Sequence, residues 1–479
     1  MAERLGAVGR LVAGADTARF RDESTVETPG VPFPGPVRAG ARVVAAVRYS
    51  TVVAVALCGF VGIALWDVFH YNWLRGYDAW AASHYVAAIQ IDHRLATPAD
   101  TGVWHNPPLF YALAAFIQGH VGWSHLEPHK AVQLVSVVSG FGIVLFTFLI
   151  ARALFPRSRW IQLTALLVAA LTPVLMRGSL LYHPDPLSTA FATGGVYVAV
   201  RAAHGRWTVR LGFVCGLLLG LATLTRDWAL AETGGVLAVC GVIWIRERRP
   251  EILRFLAAAT IVFAGLALPW YIRQEVDYGS PFAFAKPGGP GVWLPQLPAG
   301  FFTSLDVTDV FTNPYQPFYK NALVPVLYTD WWGDYTRYFH IPLVNLNTPR
   351  QLPPRYRNPL VVQSFVGIVP SLLAIAGAVG LAIQGIRRRG SPVSIVLAGA
   401  GLVIVSFLWF LFQDPKVDGD NVKALYVLDI LPAVAICTAW GLDWVRRHSN
   451  RLVLAGLLAW LAVSAVYDVS FLILRHNVS

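Results

Sequence analysis

Residues 71–130 read YNWLRGYDAWAASHYVAAIQIDHRLATPADTGVWHNPPLFYALAAFIQGHVGWSHLEPHK. This stretch follows the first long apolar run of the chain and carries polar side chains between amphipathic pieces. Its acidic, basic, histidine and amide groups include Asp78, His84, Asp92, Arg94, His105 and Asn106. Because the sequence around it is strongly apolar, we expect chemistry to concentrate in this segment.

The composition of the whole chain is that of a membrane protein. Its 479 residues are 56% hydrophobic and 14% charged, with a mean hydropathy of +0.53. A soluble domain is roughly half apolar and about one quarter charged. A formal charge of +11 would suggest a nucleic-acid partner in a soluble chain, but here the arginines lie between apolar runs, a pattern that sets membrane topology. We therefore predict an all-α polytopic membrane protein with no nucleic-acid partner.

The four cysteines predict neither disulfides nor a zinc site. Cys58, Cys215, Cys240 and Cys437 each stand alone inside an apolar run, without the spacing of a metal or redox motif. They are expected to be small buried side chains.

Eleven apolar runs are candidates to cross a bilayer core, which needs roughly 20 residues. They cover residues 43–69, 130–151, 160–177, 185–203, 209–225, 228–245, 255–272, 361–385, 392–412, 425–445 and 452–474. A twelfth segment, Pro107 to Val121, is too short to span comfortably. The arginine-rich loops fall on one side of the membrane only if this segment does not cross, so we predict that it lies along the outer interface.

The predicted organisation has four parts. Residues 1–42 form a disordered or weakly helical cytoplasmic tail, and residues 43–272 form a transmembrane module whose external loop is 70–129. Residues 273–360 form a long extracytoplasmic loop, and residues 361–479 carry the last transmembrane helices. Most polar side chains other than arginine then face away from the cytoplasm.

Several motifs occur in an order that resembles a known superfamily. An acid follows the first span at Asp78, the segment HNPPLFYAL opens the second helix at residues 105–113, and an arginine-rich loop follows the next span. This arrangement resembles the GT-C glycosyltransferases, in particular the protein O-mannosyltransferase and lipid A aminoarabinose transferase branch, whose members use polyprenyl-phosphate sugars. Similar segments are LLYHPDPLSTAF (180–191), LTRDWAL (224–230), YTDWWGDYTRYF (328–339) and KALYVLDILPAVAI (423–436).

Two positions differ from the pattern of that branch. Ala79 stands where the family often has a second acid, and Asn106 stands where the aminoarabinose branch carries a lysine. Transfer of aminoarabinose is therefore not supported.

The resemblance implies a GT-C-type fold and an inverting glycosyltransferase. Such an enzyme would transfer a hexosyl or pentosyl group from a polyprenyl phosphate to a lipid, glycan or protein hydroxyl outside the plasma membrane. Asp78 is placed as the base, and a partly dry interface is expected to raise its pKa. From spacing alone, a helix cap is an equal reading of Asp78.

Asp185 is the second catalytic candidate. It would orient the acceptor or hold a divalent cation, although a cap within the Pro-Asp-Pro turn also explains it. The sequence offers no set of metal ligands at recognisable spacing, so a divalent cation stays open and no metal residue is assigned.

Arg226 and Lys423 are the candidates for the donor phosphate. Arg226 lies at a short break between two apolar runs, where an unpaired charge is costly, but a surface pair with Asp227 is an equal alternative. Lys423 stands at the head of a late span, where it could instead anchor the helix among lipid headgroups. The remaining candidates, assigned to substrate binding, are His84, His105, Asn106, Tyr111, His183, Trp332 and Tyr335.

Two other classes of function remain open. A secondary transporter would need polar residues and helix breaks at mid-membrane depth, commonly in repeated halves. A non-catalytic protein of cell-envelope assembly would need none of the residue roles above. Flat aromatic rings in the 273–360 loop suit sugar or acceptor binding, and an interfacial aromatic belt explains them as well.

Overall fold

The structure is a computed structural model. It describes residues 36–121, 127–282, 297, 300–316, 322–339, 352–387, 391–413 and 421–474, without the side chains of 36–48 and 471–474. The chain divides into two units, residues 1–50 and 51–479. Residues 36–42, which the sequence assigned to the tail, are helical, and the rest of the predicted tail lies outside the described residues.

Every regular element among the described residues is a helix. The helices are α1 Pro36–His70, α2 Ala79–Ile91, α3 Leu109–His120, α4 Pro128–Leu154, α5 Arg159–Leu171, α6 Pro173–Gly178, α7 Asp185–Ala203, α8 Val209–Thr223, α9 Trp228–Glu247, α10 Pro250–Tyr278, α11 Val307–Val310, α12 Leu323–Trp332, α13 Pro354–Val366, α14 Ile368–Arg387, α15 Val393–Gln413, α16 Leu431–His448 and α17 Arg451–Leu474. Two 3₁₀ helices cover Trp73–Arg75 and Ala424–Ile430. The predicted fold class, all-α and polytopic, is confirmed.

Eight helical segments in the described ranges are long and apolar enough to cross a membrane. They are Tyr49–His70, Pro128–Leu154, Trp228–Glu247, Pro250–Tyr278, Pro354–Arg387, Val393–Gln413, Ala424–His448 and Arg451–Ser470. The other three predicted runs are also helical but are shorter or more polar, at α5, α7 and α8. The segment predicted to lie along the interface is α3, which has only 12 residues.

The predicted run 160–177 is not one helix. It ends at Leu171 and restarts at Pro173, with Thr172 in an extended conformation. Proline has no amide hydrogen and its ring clashes with the preceding turn, so Pro173 ends α5 and begins α6 at a favourable first position. This break lets residues 173–184 turn and place the start of α7 in the interior.

Small residues allow α8 and α10 to pack closely. A Cβ atom on Gly216 would lie 2.2 Å from the carbonyl oxygen of Ala259, and one on Gly212 would lie 2.4 Å from that of Phe255. Glycines spaced by four residues form a flat strip on a helix, which favours close contact in a bilayer, where the helices gain nothing from leaving water. The α8–α9 break that follows this contact carries Arg226 and Asp227.

Candidate active site

Asp78 lies at the start of α2, with φ of 50° and ψ of 14°, in the left-handed region. Its side chain does not cap the helix. Instead, Oδ2 lies 3.3 Å from Nζ of Lys423 and 3.4 Å from the hydroxyl of Tyr426. Aspartate tolerates left-handed backbone better than most residues, and such outliers concentrate at functional sites. The cap interpretation of Asp78 is therefore wrong.

Asp185 and Arg226 form a second ion pair. The Asp185 side chain is only 3% exposed, and Oδ1 lies 2.7 Å from Nε of Arg226. Arg226 also donates from Nη1 to the side-chain oxygen of Asn106. The surface pair between Arg226 and Asp227 does not form, because Asp227 accepts a hydrogen bond from the Tyr271 hydroxyl at 2.9 Å.

Tyr426 lies between the two ion pairs. The guanidinium carbon of Arg226 is 5.2 Å from the centre of its ring, and Nζ of Lys423 is also 5.2 Å from it. Both distances suit a cation–π interaction. Tyr426 was not among the predicted site residues, although its spacing from Lys423 offered a signal: residues three apart lie on one face of a 3₁₀ helix.

These five residues, Asp78, Asp185, Arg226, Lys423 and Tyr426, are called the paired-charge site below. They come from four separate parts of the chain: the start of α2, the start of α7, the α8–α9 break, and the 3₁₀ helix before α16. An arrangement of two carboxylates and two cations can hold an anionic group and accept a proton at the same place.

His183 contacts Asp185, the buried carboxylate of the site. It is itself buried, and its Nδ1 lies 3.3 Å from Oδ2 of Asp185. Burial lowers the pKa of His183 to about 4, assisted by the charges of Arg226 and Lys423 and opposed by Asp185 and Asp78. The imidazole is therefore neutral at physiological pH.

The electrostatic balance at Asp78 is opposite to the one we predicted. Burial alone raises the pKa of this carboxyl, but the positive charges of Lys423 and Arg226 outweigh that effect, and His183 adds to them at the acid pH where it is protonated. The pKa of Asp78 is held well below its usual range. A carboxylate beside cations favours the charged form, and here this effect exceeds desolvation.

The segment that opens α3 supports Arg226. The side-chain nitrogen of Asn106 donates to the hydroxyl of Tyr111 at 2.9 Å, while its oxygen accepts from Arg226. Tyr111 stacks on Tyr85 with ring centres 4.0 Å apart. The backbone amide of Leu109 donates to the carbonyl of Leu224, which fixes the start of α3 against the α8–α9 break.

Four predicted substrate-binding residues lie outside these contacts. His105 is half-buried and packs edge-on against Trp104, with ring centres 5.8 Å apart. His84 packs against Trp80, which is 63% exposed.

Trp332 donates from its indole nitrogen to Ser371 at 2.8 Å. Tyr335 is buried, and its backbone carbonyl accepts a hydrogen bond from the amide of Gln316. None of the contacts just given involves a residue of the paired-charge site.

Metal binding is not supported by a ready set of ligands. Within the described ranges, no group of three or more His, Cys, Asp or Glu side chains is placed to hold a metal ion. His183 and Asp185 make a two-member set whose carboxylate is already engaged by Arg226.

Residues 105–270 match the family model described as Dolichyl-phosphate-mannose-protein mannosyltransferase. No curated protein matches the chain in sequence. The oligosaccharyltransferase of Archaeoglobus fulgidus, in complex with Zn and sulfate, is similar in structure with a TM-score of 0.51 and 13% identity, over 88% of this chain and 53% of that one. The chain thus spans about half the length of that protein.

Two structures of ArnT from Cupriavidus metallidurans are also similar. The apo structure has a TM-score of 0.47 and 16% identity, over 91% of this chain and 78% of that one. The structure bound to undecaprenyl phosphate has a TM-score of 0.46 and 15% identity, over 90% and 76%. The match at residues 105–270 and the fold shared with the Archaeoglobus protein confirm the resemblance drawn from the sequence: this chain is a multi-pass membrane protein with the GT-C fold.

Proposed function

We propose that the protein is an inverting glycosyltransferase that moves a sugar from a polyprenyl phosphate to a hydroxyl group of a lipid, glycan or protein. The observation that carries this proposal is the paired-charge site, in which Asp78, Asp185, Arg226 and Lys423 converge around Tyr426. The matched family model is described by a lipid-phosphate sugar donor, which supports the same class of substrate.

The two carboxylates suit different roles because they differ in exposure. The Asp78 side chain is 35% exposed and can meet an acceptor, whereas Asp185 is almost fully buried against Arg226 and His183. Asp78 is accordingly the base, and Asp185 holds Arg226 in place. A carboxylate that abstracts a proton from the attacking group contributes roughly 10²–10⁴ in rate.

Arg226 and Lys423 supply the positive charge that a departing phosphate requires. Arginine stays protonated at any accessible pH, and preorganised cations stabilise developing negative charge most strongly where water is excluded. Arg226 and Lys423 share Tyr426 as a neighbour, so the two cations are grouped where one phosphate is expected to bind.

The reaction is a single displacement. The acceptor oxygen attacks the anomeric carbon as its proton passes to Asp78, and the bond between that carbon and the phosphate oxygen breaks. The electron pair stays on the polyprenyl phosphate, beside Arg226 and Lys423. Attack opposite the leaving group inverts the anomeric configuration.

Donor binding also activates the base. In this structure Lys423 is paired with Asp78, and that pairing keeps the pKa of Asp78 low. A phosphate that takes up the charge of Lys423 weakens this effect, so the proton affinity of Asp78 rises when the donor is in place. Asp78 then becomes a stronger base in the complex than in the free protein.

The site lies on the extracytoplasmic side of the plasma membrane in this proposal. Helix α7 begins at Asp185 and has Arg201 in its last turn, and α9 begins beside Arg226 and has Arg246 in its last turn. The site and these arginines are thus at opposite ends of the same two helices. Since arginine-rich ends favour the cytoplasm, the site faces outward.

The test is transfer by the purified protein in proteoliposomes. Polyprenyl-phosphate hexoses and pentoses with a radiolabelled sugar are supplied with lipid, glycan or peptide acceptors, with Mg²⁺ or with a chelator. We expect labelled product from at least one donor, with the inverted anomer. Absence of transfer from every donor, combined with ion-gradient-driven uptake of a labelled solute, would overturn the proposal in favour of transport.

A further inference from the structure

Asp330 connects the two ends of the Asp78–Lys423 ion pair. This residue lies on α12 and is buried. Its Oδ1 accepts a hydrogen bond from the Tyr77 hydroxyl at 2.7 Å, and its Oδ2 accepts one from the backbone amide of Ala424 at 2.7 Å. Tyr77 directly precedes Asp78, and Ala424 directly follows Lys423. One carboxylate thus holds the immediate neighbour of each member of the pair.

Asp330 is itself held from two sides. Arg177 on α6 donates from Nη2 to the backbone carbonyl of Asp330. The hydroxyl of Tyr77 also accepts a hydrogen bond from Thr336 at 3.2 Å. A bridge whose own groups are hydrogen-bonded is rigid, and it transmits a displacement at one end to the other.

The charge of Asp330 is compensated by the same surroundings. Burial raises the pKa of this carboxyl, while Arg177, the Tyr77 hydroxyl, the Ala424 amide and Lys423 act to lower it. A buried carboxylate is costly unless it is paired and hydrogen-bonded, so the position is suited to an acceptor of two bonds rather than to an apolar side chain.

We propose that Asp330 is a positioning residue that fixes the distance between Asp78 and Lys423 by bonding Tyr77 and Ala424 simultaneously. The contact geometry carries this inference by itself. Its consequence for transfer rests on the proposed function, because only then are Asp78 and Lys423 the base and the phosphate-binding cation. A displacement of a reacting group by about 1 Å can cost on the order of 100-fold in rate.

The first readout does not depend on transfer. Lys423 is labelled competitively with an amine-reactive ester in the full-length protein, and its modification is compared with that of Lys130 by mass spectrometry. Lys423 is buried against Asp78, so it should react slowly in the unaltered protein. Tyr77→Phe and Asp330→Ala should each raise its relative labelling several-fold, and Asp330→Asn, which keeps an acceptor for the Ala424 amide, should raise it less.

Tyr328→Phe is the matched control. Its hydroxyl donates to the carbonyl of Ser364 on α13, so this variant also removes one hydroxyl that ties α12 to a neighbour, but not to the segment of Tyr77. It should lower thermal stability about as much as Tyr77→Phe does and leave the labelling of Lys423 unchanged. Unchanged labelling in Tyr77→Phe, or equal labelling in the two phenylalanine variants, overturns the proposal even if Asp330→Ala fails to fold.

The second readout is transfer. Tyr77→Phe should lower kcat roughly 10- to 100-fold, as expected for a displaced base, whereas Tyr328→Phe should retain it. If labelling changes as expected but the unaltered protein transfers no sugar, the positioning role stands and the proposed function fails. If the protein transfers sugar and labelling does not change, the proposed function stands and the positioning role fails.

Discussion

Nζ of Lys423 lies 3.3 Å from Oδ2 of Asp78, although 345 residues separate them in the chain. This contact joins the start of α2 to the start of the 3₁₀ helix before α16. It places a candidate base and a candidate phosphate ligand within one hydrogen-bond distance. The two functions are therefore coupled electrostatically, and each should respond when the other is altered.

Asp78→Asn should abolish most of the transfer activity without unfolding the protein. Asparagine tolerates the left-handed backbone at this position, so strain is not added, but its amide does not accept a proton. We expect kcat to fall roughly 10²- to 10⁴-fold, measured with saturating donor. Asp92→Asn, on an exposed aspartate at the other end of α2, is the control and should keep full activity. Full transfer by a normally folded Asp78→Asn protein would remove the base from the mechanism.

Lys423→Met should shift the pH dependence of transfer upward. With Lys423 present, the pKa of Asp78 is held low and the free protein keeps its base ionised well into the acid range. Removal of the ammonium takes away the largest of the effects that lower the pKa of Asp78, so this pKa rises and the acidic limb of kcat/KM moves to higher pH. Lys423→Arg retains the charge and should leave this limb in place, while the donor KM rises in Lys423→Met alone.

A movement of the acidic limb of kcat/KM toward lower pH in Lys423→Met would contradict the assignment. Loss of a positive neighbour can only disfavour the ionised carboxylate and so raise the pKa of Asp78. An identical shift in Lys423→Arg would point to packing rather than charge as its cause.

His183 should make stability depend on pH. Its pKa is about 4 in the folded protein, against an ordinary value of 6.5, because burial and the charges of Arg226 and Lys423 disfavour the protonated imidazole. Between these values the unfolded state binds more protons, so stability is full above pH 6.5 and falls on acidification. The loss reaches about 3 kcal/mol near pH 4.

Thermal unfolding in detergent between pH 4 and 8 measures this effect. His183→Gln should flatten the curve, whereas His84→Gln, on α2, should retain the slope of the unaltered protein. A curve that is equally steep in His183→Gln would assign the acid sensitivity to other groups.

Tyr426→Phe should have a small effect on catalysis and none on donor affinity. The ring that lies beside Arg226 and Lys423 is kept, and only the hydroxyl 3.4 Å from Asp78 is lost. We expect kcat to fall a few-fold with an unchanged donor KM. Tyr426→Leu removes the cation–π contacts as well, each of which contributes about 0.5–2 kcal/mol, and should raise the donor KM. A higher KM in Tyr426→Phe would show that the hydroxyl itself binds the donor.

The sequence predicted the helices well because each is driven by a local property. A run of about 20 apolar residues satisfies the length and hydrogen-bonding needs of a bilayer without reference to the rest of the chain. The failure at Pro173 is also local in origin: hydropathy windows count proline as tolerable, but the missing amide ends the helix.

The site was only partly predictable because its contacts are long-range. Asp78 and Asp185 were named from the family resemblance, and Arg226 and Lys423 from their positions at helix ends; the structure brings all four together. Their pairing was not predicted: spacing suggested Asp227 as the partner of Arg226, and only the tertiary fold selects Asp185. The low pKa of Asp78 was missed for the same reason, since Lys423 is its neighbour only in space.

The substrate-binding role predicted for the aromatic loop segment stays a prediction. Trp332 and Tyr335 have the residue types of a sugar-binding surface, but Trp332 is wedged against Gly367, where an added Cβ would lie 2.5 Å from its ring. The residue type alone does not show whether an aromatic side chain packs inside the protein or binds a sugar. Asp330, in the same segment, was overlooked because its role depends on Tyr77 and Ala424.

The buried ion pair of Asp185 and Arg226 should show strong coupling in unfolding experiments. Removing one partner leaves the other charge buried and uncompensated, so Arg226→Ala should lose about 3–5 kcal/mol of stability, and Asp185→Ala a similar amount. The double variant Asp185→Ala/Arg226→Ala leaves neither charge and should lose clearly less than the sum of the two.

The matched control is Arg94→Ala in the Arg94–Asp100 pair, whose atoms are 2.6 Å apart but whose side chains are 44% and 21% exposed. An exposed pair contributes about 0–1 kcal/mol, so this variant should unfold close to the unaltered protein. Additive losses at Asp185 and Arg226 would mean that the two charges do not depend on each other, and Asp185 would then have to be reassigned from a support of Arg226 to an independent role.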